Sequence, residues 1–238
     1  MLADLEKSAE YAGTLDSNVL KPLEWMSSLV NFIAKALPEW RDAPTRNPES
    51  NERRLTAQLC SRLNSLARHS PGWDILQFKQ EEPDETIGSR SLDLGVQPCD
   101  AVISIEGRQY TEYQTLLPIE CKRLPTPIAS DRDEREYLIS QYSSTGGVDR
   151  FKQGRHGAAH QRAAMIGYVQ ENDVDFWRSK VDTWITEIAN APTEGWSFGD
   201  KFTLVDHDPT QRLASLISVH ERASNLDPIH IDHIWIEM

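Results

Sequence analysis

Apolar residues recur every three or four positions in two segments near the start of the chain, which predicts two amphipathic helices. We expect the first over about residues 17–37 and the second over about residues 51–67, with Asn51 as the N-cap of the second. Between them, residues 38–48 contain three prolines and indicate a connector. The chain is therefore divided into an N-terminal helical element, residues 1–45, and a main domain, residues 46–238.

Short runs rich in β-branched and aromatic residues, separated by turn signals, predict strands along the main domain. We expect these strands at about residues 73–80, 91–96, 100–106, 110–122, 164–169, 202–205, 213–220 and 229–236. A polar helix is expected over residues 131–142, and a further helix from Asn172, as its N-cap, to residue 189. This order of elements is typical of an α/β domain with a mixed β-sheet flanked by helices.

Composition narrows the classes of function. The 238 residues suffice for a sizeable core, and 37 acidic against 25 basic residues give a net charge of −12. Such an acidic chain does not coat nucleic acid by bulk attraction, although a local basic groove remains compatible with it. Three widely spaced cysteines form no disulfide framework or zinc motif, which favours a cytoplasmic protein.

No stretch of the chain predicts contact with a membrane. The longest uncharged apolar run, residues 25–34, is about half the ~20 residues that a membrane-spanning helix needs. The first residues are acidic and lack the apolar core of a secretory signal. The sequence also lacks the glycine-rich phosphate loops that bind ATP or dinucleotides.

The sharpest chemical feature is Glu120-Cys121-Lys122, at the end of an apolar segment. Residues i and i+2 of a strand share a face, so Glu120 and Lys122 point to one side and Cys121 to the other. A carboxylate and an ammonium are costly there unless they are paired or used. The alternative interpretation is an ion pair on an edge strand that faces water.

A second carboxylate, Asp100, opens the apolar strand that precedes this segment. If the two strands form a hairpin, Asp100 comes to lie beside Glu120. Adjacent carboxylates repel unless a cation lies between them, and Mg²⁺ prefers oxygen ligands. Asp100, Glu120 and the carbonyl of Cys121 then form an open metal site, with Lys122 able to orient or activate the attacking water.

A third carboxylate, Glu52, lies at the start of the second predicted helix. It falls on the same helical face as the apolar stripe of Leu55 and Leu59, so it points inward. One interpretation is a metal ligand, either direct or through water. The other is a favourable charge in the first turn of the helix.

Glu52 on a helix, Pro98-Cys99-Asp100 opening a strand and the Glu-x-Lys at residues 120–122 together resemble the PD-(D/E)xK nuclease superfamily. The resemblance spans roughly residues 51–169. It implies a restriction-endonuclease-like fold and Mg²⁺-dependent (or Mn²⁺-dependent) hydrolysis of phosphodiester bonds, most simply in DNA, with the acids holding the metal and the lysine positioning water. Two departures are that Cys99 separates the proline from the aspartate, and that Asp93 competes for the aspartate role.

Downstream residues are candidates for binding nucleic acid. The resemblance to RecB-like members of the superfamily suggests Gln141, on the expected polar helix. Residues 146–168 form the most basic stretch, with glycines that allow close approach to phosphate. The candidates there are Arg150, Lys152, Arg155 and Arg162. The alternative for this stretch is a surface loop without a ligand.

Two functions follow. The first is a metal-dependent nuclease, which the resemblance also connects with bacterial restriction and phage-defence assemblies, where such a chain acts as the effector subunit. The second is a non-catalytic subunit with a degenerate nuclease fold that binds a protein partner or a second copy of itself, which the acidic charge favours. His230, Asp232 and His233, close together near the end of the chain, predict an edge strand rather than a metal site.

Overall fold

The computed structural model describes residues 22–86, 88–105, 107–130, 132–140, 146–191, 195–223 and 226–238. The helices are α1 (Pro22–Arg41), α2 (Glu52–Arg68), α3 (Gly147–Lys152) and α4 (Val174–Asn190), with a 3₁₀ turn at Phe198–Asp200. The strands are β1 (Leu76–Pro83), β2 (Ser91–Pro98), β3 (Ile103–Ile105), β4 (Arg108–Tyr110), β5 (Leu117–Leu124), β6 (Arg162–Val169), β7 (Thr203–Asp208), β8 (Leu213–His220) and β9 (Ile229–Glu237). The fold is mixed α/β, as predicted.

A seven-stranded mixed sheet in the order β1-β2-β5-β6-β9-β8-β7 organises the chain. Its three central strands, β5, β6 and β9, are parallel to one another. The outer pairs, β1 with β2 and β7 with β8, join this centre in antiparallel fashion. The last strand, β9, is therefore an interior strand, and the prediction that residues 229–236 form an edge strand is wrong.

Each face of the sheet is covered by a separate apolar cluster. Alternate residues of β6 show the division: Ala164 and Ile166 pack with α1 and α2, whereas Ala163 and Met165 pack with α3 and α4. Both faces of the central strands are thus buried, which is typical of parallel strands covered by helices. A site on β5 must therefore lie inside the protein or at the end of that strand.

Helix α2 confirms the prediction for residues 51–67. Asn51 is its N-cap, and the Asn51 side chain accepts a hydrogen bond from the backbone N–H of Arg54 at 3.2 Å. Leu55, Leu59 and Leu63 are fully buried against the sheet. The first residue of the helix, Glu52, is held by this packing at a fixed place beside β5.

Helix α1 continues past the predicted stop at Pro38 and ends at Arg41. Tertiary contacts explain the extension: Leu37 and Trp40 are buried, and the Arg41 guanidinium donates hydrogen bonds to the carbonyls of Gln211 and Glu237 at 2.8 and 3.2 Å. The helix shares one apolar cluster with α2 and the sheet. The division at residue 45 stays a prediction.

Two other helix predictions need correction. Residues 132–140 form turns instead of a polar helix, and Asp133 accepts the N–H of Arg135 at 2.9 Å, a local bond that competes with helical pairing. Residue 141, the predicted nucleic-acid contact Gln141, lies outside the described residues. The cap of α4 is Asp173, whose side chain accepts the N–H of Phe176, while Asn172 adopts a φ of 60°.

The predicted hairpin between residues 100–106 and 110–122 forms only in part. Strands β3 and β4 make a separate two-stranded sheet of three residues each. Strand β5 pairs instead with β2, with Leu94 opposite Ile119. Among the described residues, no helix combines the length and apolar character that crossing a membrane requires.

The packing of β6 against β9 generates a stability prediction. A Cβ atom at Gly167 would lie 2.5 Å from Cδ1 of Trp235, a fully buried ring. We expect Gly167→Ala to lower the free energy of unfolding by about 1–3 kcal/mol because the core must shift to admit the methyl group. Urea unfolding followed by tryptophan fluorescence measures the change.

The matched control is Gly88→Ala, because a Cβ atom there meets no atom within 4 Å. We expect its free energy of unfolding to stay within about 0.5 kcal/mol of the wild type. Equal stability of the two variants would contradict the packing described for Trp235.

Candidate metal and phosphodiester site

The Glu-x-Lys segment lies on β5, an interior strand of the sheet. The side chains of Glu120 and Lys122 are 0% and 6% exposed. The alternative of an edge-strand ion pair facing water is therefore wrong. Burying these charges is costly without partners, so the question becomes what surrounds them.

Four oxygen atoms from three elements surround the Lys122 ammonium. The carbonyl oxygen of Cys121 lies 3.1 Å from Nζ and Oε1 of Glu52 lies 3.5 Å away. Oδ2 of Asp93 and Oε2 of Glu120 both lie at 3.7 Å. Because all four surround one nitrogen atom, the three acids, far apart in the chain, form one cluster.

Backbone geometry explains how two of the acids reach β5. The pairing of β2 with β5 ends at Leu94, and the next residue, Asp93, accepts the N–H of Cys121 at 2.8 Å. Two residues further along the strand, Glu52 accepts the N–H of Arg123 at 3.0 Å. Each carboxylate takes the place of the missing strand partner for a backbone N–H that would otherwise be unpaired. Two acids thus bind the backbone of β5 at the place where its pairing with β2 ends.

Asp100, which the sequence favoured for this role, lies elsewhere. It is exposed, with a φ of 51°, beyond the far end of β2. The strand from Asp93 to Pro98 spans roughly 17 Å at the usual rise per residue. The structure therefore brings together Glu52, Asp93 and Glu120 but not Asp100, because β2 rather than β3 pairs with β5.

The carboxylate of Glu120 is fixed on both oxygens. Arg150 donates to Oε2 at 2.9 Å, and the ring nitrogen Nδ1 of His156 is 2.6 Å from Oε1. Although burial favours the neutral acid, the hydrogen bond to His156 and the charges of Lys122 and Arg150 lower the pKa of Glu120 to about 2. Nothing in the sequence indicates that His156, within the basic stretch, contacts Glu120, and the sequence predicts instead that Arg150 binds nucleic acid.

The charged side chains of the cluster shift one another's pKa values. Burial, followed by the neighbouring charge of Glu120, raises the pKa of Asp93 to about 7. Burial opposes the charged form of Lys122, but Asp93, Glu52 and Glu120 together raise its pKa above the ordinary value. Above about pH 7, where Asp93 is ionised, three carboxylates lie near the cations Lys122 and Arg150, and an additional positive charge would be stabilised there.

The donor atoms fit a hard divalent cation. Mg²⁺ and Mn²⁺ prefer carboxylate, carbonyl and water oxygens, and this cluster offers three carboxylates and the Cys121 carbonyl. In the parts of the chain that the structure describes, no three His, Cys, Asp or Glu side chains are arranged as a preformed metal site. The oxygens are directed at the Lys122 ammonium, so metal binding requires side chains to turn away from Lys122.

A cleft of about 140 Å³ opens onto this cluster between α2 and β1. Its lining consists of Glu52, Arg53, Thr56, Gln80, Glu81 and Asp93. The Asp93 side chain is 31% exposed, which makes it accessible from the cleft. The cleft thus connects Glu52 and Asp93 of the cluster with the surface.

The four predicted nucleic-acid contacts of the basic stretch are all engaged within the protein. Arg150 binds Glu120, and Arg162 binds Asp232 through two nitrogens at 2.7 and 3.0 Å. Lys152 is 1% exposed and bound to Asp200, and Arg155 pairs with Asp149 at 3.7 Å while a third of its side chain stays exposed. The structure therefore does not assemble these residues into a continuous basic surface.

A second polar network, which the sequence did not predict, runs through the core on the other side of α3. Its members, linked in this order by hydrogen bonds, are Lys152, Asp200, His220, Ser218, His233, Tyr137 and Trp235. Against the effect of burial, the hydrogen bonds from His220 and Lys152 lower the pKa of Asp200 to about 2. Asp200 therefore accepts, and Nδ1 of His220 donates to it at 2.6 Å.

The opposite end of the network fixes the remaining protons. The indole N–H of Trp235 can only donate, so the Tyr137 oxygen accepts it. The other partner of the Tyr137 hydroxyl among the described residues is Nδ1 of His233, so the hydroxyl proton is donated to that nitrogen. Burial lowers the pKa values of His220 and His233, which keeps both rings neutral. Nε2 of His233 then donates to Ser218, whose hydroxyl donates to Nε2 of His220. Because Ser218 is buried and its oxygen is engaged on both sides, this Asp-His-Ser arrangement is structural.

Helix α3 connects the two polar networks. Arg150 reaches Glu120 from this helix, and Lys152 reaches Asp200. The helix starts at Gly147, where a Cβ atom would lie 2.7 Å from the carbonyl oxygen of Tyr137 and 3.5 Å from Cγ of Lys122. Glycine thus allows the start of α3 to lie directly against the acidic cluster.

Comparison of the chain with protein-family models, curated proteins and solved structures finds no match. The comparisons therefore assign no function to this site.

The raised pKa of Asp93 generates a prediction about stability and pH. Because the folded-state pKa of about 7 exceeds the ordinary value of 3.8, the neutral acid favours folding at low pH, and this contribution is lost as the pH rises through 7. We expect Asp93→Asn, in the presence of a chelator, to raise the urea midpoint relative to wild type at about pH 8.5, and to do so by clearly less at about pH 5.

The control is Asp100→Asn, an exposed position whose left-handed backbone asparagine tolerates well. We expect the urea midpoint of this variant to equal that of the wild type at both pH values. The same pH dependence in both variants would contradict the placement of Asp93, and not Asp100, in the cluster.

Proposed function

We propose that this protein is a metal-dependent nuclease that hydrolyses phosphodiester bonds, most simply in DNA. The observation that carries the proposal is the convergence of Glu52, Asp93, Glu120 and the Cys121 carbonyl on one ammonium group. Three acids from separate elements, one of them fully buried, are costly to a fold that has no use for them. Perturbed carboxylates at a cleft are typical of functional sites.

Each residue has a role that its surroundings support. Glu52, Asp93, Glu120 and the Cys121 carbonyl would hold Mg²⁺ or Mn²⁺, and the bound ion would polarise the scissile phosphate and acidify a water. In the metal-free cluster Lys122 is an ammonium, because Asp93, Glu52 and Glu120 raise its pKa. As an ammonium it would donate a hydrogen bond that orients the water or stabilises developing negative charge.

The resemblance to the PD-(D/E)xK superfamily supports the proposal with one change of residue. A helical Glu, a strand Asp and a Glu-x-Lys on the paired strand lie together, but the Asp is Asp93. It is preceded by Leu92, a buried residue, instead of the expected proline. The wider role as an effector subunit in bacterial restriction or phage defence is part of the same proposal and depends on the same resemblance.

A second candidate, a non-catalytic subunit with a degenerate nuclease fold, is favoured by a different observation. Both oxygens of Glu120 are engaged by Arg150 and His156, and the Lys122 ammonium fills the space among the acids. Such a cluster is stable without metal. In this case its role would be structural: it would hold β5 and α3 in their relative positions. Two experiments distinguish the candidates.

The first experiment is a cleavage assay with linear and circular DNA in Mg²⁺ and in Mn²⁺. We expect the wild type to cleave, and Lys122→Met and Asp93→Asn each to lose about a hundredfold or more in rate, because each removes a charge at the reacting phosphate. Far-UV circular dichroism verifies that the variants are folded. Asp100→Asn, the matched control, should cleave at the wild-type rate, whereas loss of activity in this control alone would contradict the role of Asp93.

The second experiment is thermal unfolding during a titration with Mn²⁺. A ligand that binds only the folded protein stabilises it by about 2.7 kcal/mol at a hundred times its Kd, or roughly 5–10 °C for a chain of this size. We expect this rise in the wild type and its loss in Asp93→Asn. An unchanged melting temperature in the wild type would favour the non-catalytic candidate.

A further inference from the structure

An arginine and a glutamate meet at the cleft that leads to the acidic cluster. Arg53 follows Glu52 on α2, and Glu81 belongs to β1 on the other side of the cleft. Nε of Arg53 lies 2.7 Å from Oε1 of Glu81, and Nη2 lies 2.9 Å from Oε2. The guanidinium thus binds both carboxylate oxygens at once, in the bidentate geometry that arginine also uses for phosphate.

The backbone of Glu81 is held in an unusual conformation. Its φ of 53° lies in the left-handed region, which is strained for a non-glycine residue. Pairing between β1 and β2 joins Gln80 to Leu94 and Glu82 to Leu92 but skips Glu81, which a regular ladder would place opposite Asp93. The irregularity therefore lies directly beside the acidic cluster, and it directs the Glu81 side chain towards Arg53.

The pair is accessible, unlike the ion pairs deeper in the site. The side chain of Arg53 is 74% exposed and that of Glu81 is 50% exposed, so water competes for both and the pair contributes little to stability. A hydrogen bond from the Gln80 amide to the carbonyl of Arg53 at 3.1 Å joins the two elements independently of the ion pair. Opening the ion pair therefore leaves α2 and β1 connected.

The charges along the cleft explain why such an arginine is needed. Three of the residues that line it, Glu52, Glu81 and Asp93, are acids, and Arg53 is the one basic residue among the described residues that line it. A phosphodiester strand approaching these acids meets repulsion unless a cation binds its phosphates. The Glu81 carboxylate binds the Arg53 guanidinium through two oxygens, in the same geometry that a phosphate would use.

We propose that Arg53 binds a backbone phosphate of the nucleic acid and that Glu81 occupies this arginine until the phosphate displaces it. This inference rests on the proposed nuclease function, because it assumes a nucleic-acid substrate at the same cleft. It assigns Arg53 to substrate binding and Glu81 to competition with the substrate. Substitutions of the two residues then have opposite effects on affinity.

The test measures binding of a short fluorescein-labelled DNA, as duplex and as single strand, by anisotropy at low salt with a chelator present. We expect Arg53→Ala to weaken binding about tenfold and to reduce the salt slope of duplex binding by about 0.9, the value for one phosphate contact. We expect Glu81→Gln to tighten binding several-fold because the arginine is freed. Arg53→Lys, which keeps the charge but loses the bidentate fork, should fall between Arg53→Ala and wild type.

The matched control is Arg54→Ala, because Arg54 is the next residue, is 78% exposed and pairs with Glu49 outside the cleft. We expect it to bind DNA like the wild type. Equal losses in Arg53→Ala and Arg54→Ala, weaker binding by Glu81→Gln, or no binding of either DNA by the wild type would overturn the inference. Thermal unfolding of each variant verifies that the fold is intact.

The experiments distinguish failure of this inference from failure of the proposed nuclease function. Cleavage is measured separately, in Mg²⁺, on the same DNA. Binding that changes in the two expected directions without any cleavage by the wild type supports the phosphate contact and rejects the nuclease. Cleavage by the wild type with unchanged affinity in Arg53→Ala and Glu81→Gln supports the nuclease and rejects this inference.

Discussion

The interaction on which the rest of the structure depends is the shell of oxygen atoms around the Lys122 ammonium. Glu120 is fully buried on a central strand, and an unpaired carboxylate there would be too costly to keep. Lys122, Arg150 and His156 supply the compensation, and each must be placed by a different part of the chain. The packing of α2, the end of the β2–β5 ladder and the position of α3 are all constrained by this requirement.

The core on the other side of α3 secures that arrangement. Lys152 ties the helix to Asp200, and from there hydrogen bonds run without interruption to Trp235 on β9. A buried polar group that loses its partner costs about 1–3 kcal/mol, so this network tolerates few alternatives in the positions of its members. Arg150 lies two residues before Lys152 on α3, so the network that holds Lys152 also fixes the position of Arg150. The acidic cluster on β5 is in this way braced by residues of strands β8 and β9.

The sequence predicted those parts of the molecule that depend on local pattern. The apolar stripe behind Asn51 defined α2 and the inward direction of Glu52, and the alternation in residues 119–122 placed Glu120 and Lys122 on one face. Predictions that required knowledge of strand pairing were wrong: Asp100 was favoured because β3 follows it directly, whereas β5 pairs with β2. Nothing in the local sequence around His156 indicates that its ring meets a carboxylate 36 residues away.

The position of β9 between β6 and β8 has a consequence for how the chain folds. Arg162 pairs with His230, and no strand that the structure describes between them in the sequence joins β6, so β6 and β9 pair only by contacts between distant residues. Such high contact order slows folding, because loop entropy is lost before the pairing is gained. Until β9 is in place, the β7–β8 hairpin has no strand to join and β6 exposes an unpaired edge. An unpaired apolar edge of this kind is a template for pairing with a second chain, so we expect slow refolding to be accompanied by self-association that increases with protein concentration.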